Sequence, residues 1–371
     1  MSTIFYGVCG EGRGHAARVR TIVEELRSRH NIHIFAPAMA YEMLAPIYRD
    51  SGIHVHHIPG LCFAYGNRCQ VVYLKTGWQA AQYVAGLNAQ IRRVTKAIEK
   101  HAPDLVITDF EPIVSRAAER CGVPYISLDH QQFMLSYDLS SLPGYLRRHA
   151  FYMSRMIKAY YSRQRESIVS SFYFPPLRTD VANVTQIGVL LRPEILAASR
   201  ERGKHLVAYL RRKVAPSVFQ ALEGSGCEVR IYGQGQQPSR GNLKFLPIDF
   251  DRFIDDLAAS RALISTAGNQ LIGEALYLDK PVLAMPEPNN YEQHINAHFL
   301  QRSGGGRTVD MAKLTAGTIR GFLDSFADSL PLLNRARLHG TPTALRIINS
   351  YAKAVPPARS AEFLPQLEFL R

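Results

Sequence analysis

Short apolar runs that close on small or polar residues alternate with stretches of helical apolar spacing, and they do so twice along this chain. In the first series residues 3–8 are a β-rich run, the turn Gly10-Glu11-Gly12-Arg13-Gly14-His15 follows, and Val19, Ile22, Val23 and Leu26 then recur at helical spacing. Residues 32–36 and 54–58 predict two more strands, and Tyr83, Leu87, Ile91, Val94 and Ile98 mark a long helix. Residues 105–108 predict a strand closing on Asp109, residues 115–121 a short helix, and residues 124–128 a further strand. Strands alternating with helices imply a parallel sheet with right-handed crossovers. The pattern stops at a basic, aromatic stretch (residues 144–168) and at Phe174-Pro175-Pro176. It restarts after Gly188, with strand candidates at 205–210, 229–232, 262–265 and 282–284.

A chain of 371 residues is long for one domain and sufficient for two, each with its own core. The expected architecture is α/β, with two Rossmann-like parallel-sheet domains facing across a cleft. The first spans residues 1–185 and the second 186–345, and a tail (346–371) follows. The tail carries Pro356-Pro357 and an apolar stretch at 363–370, and it either packs back on the first domain or frays. In doubly wound sheets ligands lie beyond the carboxyl ends of the strands, where loops meet helix N-termini. The chemically suggestive residues fall at those ends.

Several classes are disfavoured. No window approaches the roughly 18–20 continuous apolar residues of a membrane-spanning helix, and the first residues lack a basic leader. The five cysteines (Cys9, Cys62, Cys69, Cys121, Cys227) show no metal-ligand spacing, so reduced thiols in a cytoplasmic protein are expected. The formal net charge of +13 fits nucleic acid, an anionic membrane surface or a phosphate-bearing substrate, and by itself separates none of them.

The stretch from Thr266 to Ala297 is the most informative. Thr266-Ala267-Gly268-Asn269-Gln270-Leu271 follows a strand and opens a helix. Gly268 admits close approach of a ligand to the backbone, and exposed helix N–H groups form an anion site that needs no lysine. Glu274 lies one to two turns on, about 6–9 Å by helical rise, where a carboxylate can accept hydrogen bonds from a ribose diol. Glu292 and Gln293 open another helix and can reach sugar hydroxyls in the cleft. The plainer alternative makes Gly268-Asn269 an ordinary cap and Glu292-Gln293 a solvated first turn.

Taken together, these residues resemble the donor-binding signature of GT-B glycosyltransferases. The likeness is to natural-product glucosyltransferases and the lipid II-forming N-acetylglucosaminyltransferases of peptidoglycan synthesis. The resemblance implies that Gly268, Asn269 and Gln270 face the diphosphate of a nucleotide-sugar, UDP-linked donor. It further implies that Glu274 binds the ribose, that Glu292 and Gln293 meet the sugar, and that a loop at 243–247, including Leu246, flanks the base. Thr266 stands where the plant-type signature has histidine.

On the other half of the chain, His15 opens a helix and Asp109 ends a strand, in Thr108-Asp109-Phe110-Glu111-Pro112. Attack of a hydroxyl on an anomeric carbon wants a base of near-neutral pKa, and a carboxylate behind an imidazole orients it and stabilises its cation. Inverting GT-B enzymes carry such a histidine in a Gly-x-His turn, with an aspartate after a later strand. His15 and Asp109 resemble both, with Gly12 and Gly14 in the acceptor-side loop and Glu111 as the rival base.

Residues 146–165 mix cations with large apolar groups. Phe151, Met156 and Tyr160 at helical spacing can enter an interface while Arg147, Arg148 and Lys158 meet anionic headgroups. A surface helix with its aromatics in the core is the alternative. Arg211 follows the first strand of the second half and either neutralises a diphosphate or belongs to a solvated cluster with Arg212 and Lys213. No Asp-x-Asp follows a strand, so transfer without a metal or other cofactor is expected. The expected acceptor is a small-molecule or lipid-linked hydroxyl. The rival readings are a nucleotide-sugar 2-epimerase on the same fold and a non-catalytic nucleic-acid or anion-binding protein. Nucleic acid is disfavoured because the basic charge has another explanation, whereas the ordered donor stretch does not.

Overall fold

A computed structural model describes residues 1–10, 13–60, 73–161, 163–211, 214–327 and 333–354. Gly12, Arg212, Lys213 and the stretch 363–370 lie outside the described residues.

The first domain runs β1 (Ser2–Val8), α1 (Arg13–Leu26), β2 (His30–Ala36), α2 (Ala38–Tyr48), β3 (His54–His57), α3 (Tyr73–His101), β4 (Leu105–Asp109), α4 (Pro112–Cys121), β5 (Tyr125–Asp129), α5 (Phe133–Ser136), α6 (Gly144–Tyr160), β6 (Ser167–Ser170) and β7 (Val184–Ile187). Its strands form one parallel sheet in the order β3-β2-β1-β4-β5-β6-β7. β1, β4 and β5 are almost wholly buried, as a sheet covered on both faces requires. One face packs on α1 and α2 and the other on α3 and α4.

The second domain runs α7 (Pro193–Ala197), β8 (Leu206–Tyr209), α8 (Pro216–Glu223), β9 (Val229–Tyr232), β10 (Leu243–Leu246), α9 (Phe250–Ala258), β11 (Ala262–Ser265), α10 (Asn269–Tyr277), β12 (Val282–Ala284), α11 (Tyr291–Ser303), β13 (Gly306–Thr308), α12 (Ala316–Ser325) and α13 (Arg335–Leu338). Its sheet, also parallel, has the order β10-β9-β8-β11-β12-β13. The loop expected at 243–247 is therefore a correction: Leu243–Leu246 is an edge strand paired with Val229–Tyr232.

After α13 the chain returns to the first domain as α14 (Thr341–Ala354). Its Ala344, Ile347, Ile348 and Ala352 join the core beneath β1 and α1, and Ser2 Oγ donates to the Ala352 carbonyl at 3.1 Å. Each isoleucine buried this way contributes roughly 1.5–3 kcal/mol, which anchors the return crossing. The two crossings touch backbone to backbone at Gly188 and Gly340. A Cβ on Gly188 would lie 2.2 Å from the Leu338 carbonyl carbon, and one on Gly340 would lie 2.1 Å from the Gly188 oxygen. Glycine is required there by contact, not by φ.

Candidate active site

The register Val8↔Asp109 sets the end of β1 beside the end of β4, and Cys9 N–H donates to the Asp109 carbonyl at 2.8 Å. The turn that follows delivers His15 in the first turn of α1. His15 Nδ1 lies 2.8 Å from Asp109 Oδ1, both side chains buried. Nδ1–H donating to the carboxylate leaves Nε2 as the nitrogen able to take a proton. The pair expected from the sequence is thus in contact.

It has a third member. Arg18, one turn further along α1, donates from Nη2 to Asp109 Oδ1 at 2.7 Å and from Nε to Oδ2 at 3.2 Å, and its Nη2 lies 2.8 Å from His15 Nδ1. Burial pushes the Asp109 carboxyl upward, but Arg18 and then His15 outweigh it and hold it below its ordinary value. Burial likewise opposes the charge on Arg18, and Asp109 more than compensates. The one available signal was spacing: Arg18 is three residues after His15, on the same helical face.

Glu111, the rival base, is taken up elsewhere. Its two oxygens accept from the N–H groups of Ile113 (2.8 Å) and Val114 (2.7 Å), capping α4, with Pro112 at the first helical position. Burial still raises its carboxyl to about 7 against those two donors. It does not line the cleft.

Across the cleft, Gly268 is the N-cap of α10, and a Cβ there would meet nothing within 4 Å. Helix geometry leaves the N–H groups of Asn269, Gln270 and Leu271 without partners inside the helix. The Asn269 side chain, expected at the diphosphate, is engaged in the domain contact. It bridges to the first domain, donating to the Ser170 carbonyl (3.1 Å) and accepting from Phe172 N–H (3.2 Å). Gln270 donates to the Leu190 carbonyl at 2.8 Å and to Glu274 at 3.0 Å, while its buried Oε1 has no hydrogen-bond partner.

Glu274, expected at the ribose, is engaged elsewhere in this structure. It is buried and does not line the cavity; Arg192 grips it through Nε (3.2 Å to Oε1) and Nη2 (3.0 Å to Oε2). With Gln270 on Oε1 as well, three of about four acceptor positions are filled. The carboxylate cannot also receive both hydroxyls of a ribose without rearrangement. Leu246 ends edge strand β10 and does not line the cavity either.

The cavity between the domains has a volume of about 290 Å³. His15, Gly14, Arg13, Arg18, Arg211, Gly268, Asn269, Gln270, Glu292 and Gln293 all line it, so most of the expected residues meet in one place. Gln293 is held by Glu287, donating to its carboxylate at 3.2 Å and accepting from its N–H at 2.7 Å. Glu292 Oε2 accepts from Gln131 at 3.4 Å, across the domains. Arg13 was not singled out by the sequence; its partner in the cavity, Arg211, was.

The domain contact is polar and buried as well as apolar. His130 Nε2 lies 3.0 Å from Asn296 Oδ1, which also accepts from the Tyr173 hydroxyl at 3.1 Å, while Asn296 Nδ2 donates to the Ala267 carbonyl at 2.9 Å. The His149 ring of α6 stacks on Tyr291 of α11 at 4.0 Å. Among the described residues no group of three or more His, Cys, Asp or Glu side chains is placed to hold a metal ion.

Two doubly wound parallel-sheet domains, joined by paired crossings and enclosing a cleft at their strand ends, define the GT-B glycosyltransferase fold. Solved structures share it: the calicheamicin glycosyltransferase CalG4 (TM-score 0.66, 17% identity, covering 96% of this chain and 100% of that one) and LpCGTa in complex with UDP (TM-score 0.64, 15% identity, covering 95% and 100%). The chain belongs to glycosyl transferase family 1, whose match spans residues 2–327, and it is a glycosyltransferase. Among its relatives is an uncharacterized glycosyltransferase of Methanosarcina mazei, 24% identical over 335 residues and 81% of this chain, 84% of the relative. Another is the UDP-N-acetylglucosamine–N-acetylmuramyl-(pentapeptide) pyrophosphoryl-undecaprenol N-acetylglucosamine transferase of Sinorhizobium fredii, 28% identical over 389 residues and 95% of each chain.

Proposed function

We propose that this enzyme transfers a sugar, with inversion and without a metal or other cofactor, from a UDP-linked donor to a hydroxyl of a small-molecule or lipid-linked acceptor. The observation that carries the reading is that His15, backed by Asp109, and the N-terminus of α10 line one cavity from opposite domains. The acceptor oxygen attacks the anomeric carbon as the bond to the donor phosphate breaks. The hydroxyl proton passes to His15 Nε2, and the nucleoside diphosphate leaves with the bonding pair. One displacement inverts the anomeric centre.

The N–H groups at Asn269, Gln270 and Leu271 would receive the diphosphate, and Arg13 and Arg211 supply cationic charge in the same cavity. Glu292 and Gln293 are offered to the sugar hydroxyls. Two similarities support the choice of donor: LpCGTa, a structural neighbour, is in complex with UDP, and the Sinorhizobium fredii relative is a UDP-N-acetylglucosamine transferase. A thermal-shift screen of nucleoside diphosphates and their sugars tests it, since a ligand bound only by the folded state raises apparent stability. UDP and a UDP-sugar should raise the melting temperature in EDTA. No shift with any of them overturns the donor assignment, and a shift that requires a divalent ion overturns metal independence.

A lipid-linked acceptor on the cytoplasmic membrane face is favoured by α6. Its outer side exposes Phe151 and Met156 together with Tyr145 and Tyr152, and Arg155 lies over the Phe151 ring; Tyr160, expected in the same interface, instead stacks on Phe110, while Met153 and Ile157 on the inner side line the cavity. No described helix is long and apolar enough to cross a membrane, so such contact would be peripheral. Flotation with anionic liposomes at low salt is expected; its failure ends the membrane reading.

A further inference from the structure

The His15–Asp109 pair is not a simple imidazole–carboxylate dyad, because a third buried group shares the carboxylate. Arg18 occupies both oxygens of Asp109, and the same Nη2 that reaches Oδ1 lies 2.8 Å from the imidazole. The three side chains are 3%, 0% and 9% exposed for Arg18, Asp109 and His15, so water screens them little. We infer that Arg18 is a positioning residue that fixes the carboxylate plane behind His15 while cancelling its charge, so that proton capture by His15 creates net positive charge in a buried place. The inference rests on His15 being the base.

The charge count explains the effect. With Asp109 alone, proton capture by His15 turns an isolated anion into a neutral ion pair, which favours the imidazolium. With Arg18 present the trio is neutral before capture and cationic after it, in a buried place. A guanidinium in contact with the ring opposes that second positive charge.

Other groups around the trio do not reverse this. Tyr6 of β1 and Asp129 of β5 interact electrostatically with Arg18 and Asp109. Tyr6 is held as the neutral phenol, chiefly by burial. Asp129 accepts from the Tyr161 hydroxyl (2.6 Å) and Gln132 N–H (2.8 Å), and burial raises it to about 6, so it supplies less negative charge as pH falls. Arg13, Arg211 and Glu292 line the same cavity.

A fork also restricts geometry in a way a point charge cannot. Two parallel N–H···O bonds lock the carboxylate, and Oδ1 stays in line with His15 Nδ1. Arg18 thus fixes the carboxylate to which His15 Nδ1–H donates.

The test compares Arg18→Met, Arg18→Lys and Arg18→Met/Asp109→Asn with the wild type. Imidazole titration by NMR on histidine-labelled protein, assigned with His15→Gln, needs no acceptor. Arg18→Met should move the pH at which His15 titrates upward by about one unit or more. Arg18→Lys should move it by less, and the double variant, again without net charge behind the ring, should return toward the wild type. A His15 titration unmoved in folded Arg18→Met overturns the inference. If Arg18→Met fails to fold, the Lys and double variants decide: a double variant titrating well away from the wild type overturns it. Transfer measured in parallel separates the two readings. Transfer lost in His15→Gln with an unmoved titration keeps the base and removes the role of Arg18. Transfer retained in His15→Gln removes the base itself, whatever the titration does.

Discussion

Truncating Glu274 to alanine is expected to destabilise the protein out of proportion to the atoms removed. Arg192 is 4% exposed and Glu274 2%, and the pair is bidentate at 3.2 and 3.0 Å. Its gain beyond a hydrophobic pair of similar volume is small, because desolvation offsets most of the Coulomb attraction. Removing one partner is different, since it leaves a buried guanidinium uncompensated at about 3–5 kcal/mol. Gln270 loses its contact with Glu274 but keeps the Leu190 carbonyl, so little is added from that source. Arg192→Met/Glu274→Leu should restore stability to within about 1 kcal/mol of the wild type, giving a large favourable coupling in the double-mutant cycle. Urea unfolding followed by circular dichroism measures the loss, and hydrogen exchange at α10 locates it, because a two-domain chain need not unfold in one step. A loss below about 1 kcal/mol in Glu274→Ala would refute the reasoning from burial. The double variant then serves a second purpose as a folded protein without the Glu274 carboxylate. A tenfold or greater loss of UDP affinity in it means that the carboxylate reaches the ribose after Arg192 yields; an unchanged affinity restricts Glu274 to holding Arg192.

Three further outcomes are expected. Gly268→Val should fold as the wild type does, since its Cβ meets open space, yet bind UDP at least tenfold more weakly by isothermal titration; equal affinity would place the diphosphate elsewhere. Glu111→Ala should cost about 1–2 kcal/mol as a lost cap and leave transfer within a few-fold; a loss of transfer in folded protein would return Glu111 to the list of bases. Stability should also fall in mild acid because of a histidine cluster on β2, β3 and α3. His33 Nδ1 lies 3.0 Å from His56 Nε2, and the rings of His54 and His101 sit 4.9 and 4.5 Å from that of His33. Burial first, then the like charges of His101, His56 and His54, lowers His33 from 6.5 to about 4. The folded state therefore binds fewer protons than the unfolded chain between those values. The contribution is intact above pH 6.5 and is lost as pH falls toward 4, by about 2–3 kcal/mol for His33. Urea midpoints at pH 7.5 and 5 measure it, and His33→Phe should flatten the difference.

The two parallel sheets were legible because buried central strands are continuous apolar runs and their helices carry a period of 3.6 residues. β6, β7, β10 and β13 were not: Leu243–Leu246 read as a loop, and the other three (Ser167–Ser170, Val184–Ile187 and Gly306–Thr308) mix polar residues or glycine into runs too short to show a pattern. His15 with Asp109 was readable from position, since both fall at strand ends where chemistry collects. Arg18 was not, because an arginine on an amphipathic helix ordinarily reads as solvated, and its spacing from His15 does not by itself name Asp109 as its partner. Asn269 and Glu274 looked like ligand-binding groups for the same reason that they are used structurally. Polar groups at a buried helix start need partners, and here Ser170, Phe172 and Arg192 supply them from 82 to 99 residues away in sequence. Glu111 could have been read correctly, because a polar residue before Pro112 and a glycine at 122 mark the start and stop of a helix.

The most direct test of the account follows label from a radioactive UDP-sugar into a total lipid and metabolite extract, with wild type and His15→Ala side by side and UDP affinity measured on both. The account predicts that His15→Ala binds UDP within about threefold of the wild type and transfers at least about a hundredfold more slowly, as loss of a general base requires. Transfer at the wild-type rate by His15→Ala would contradict it.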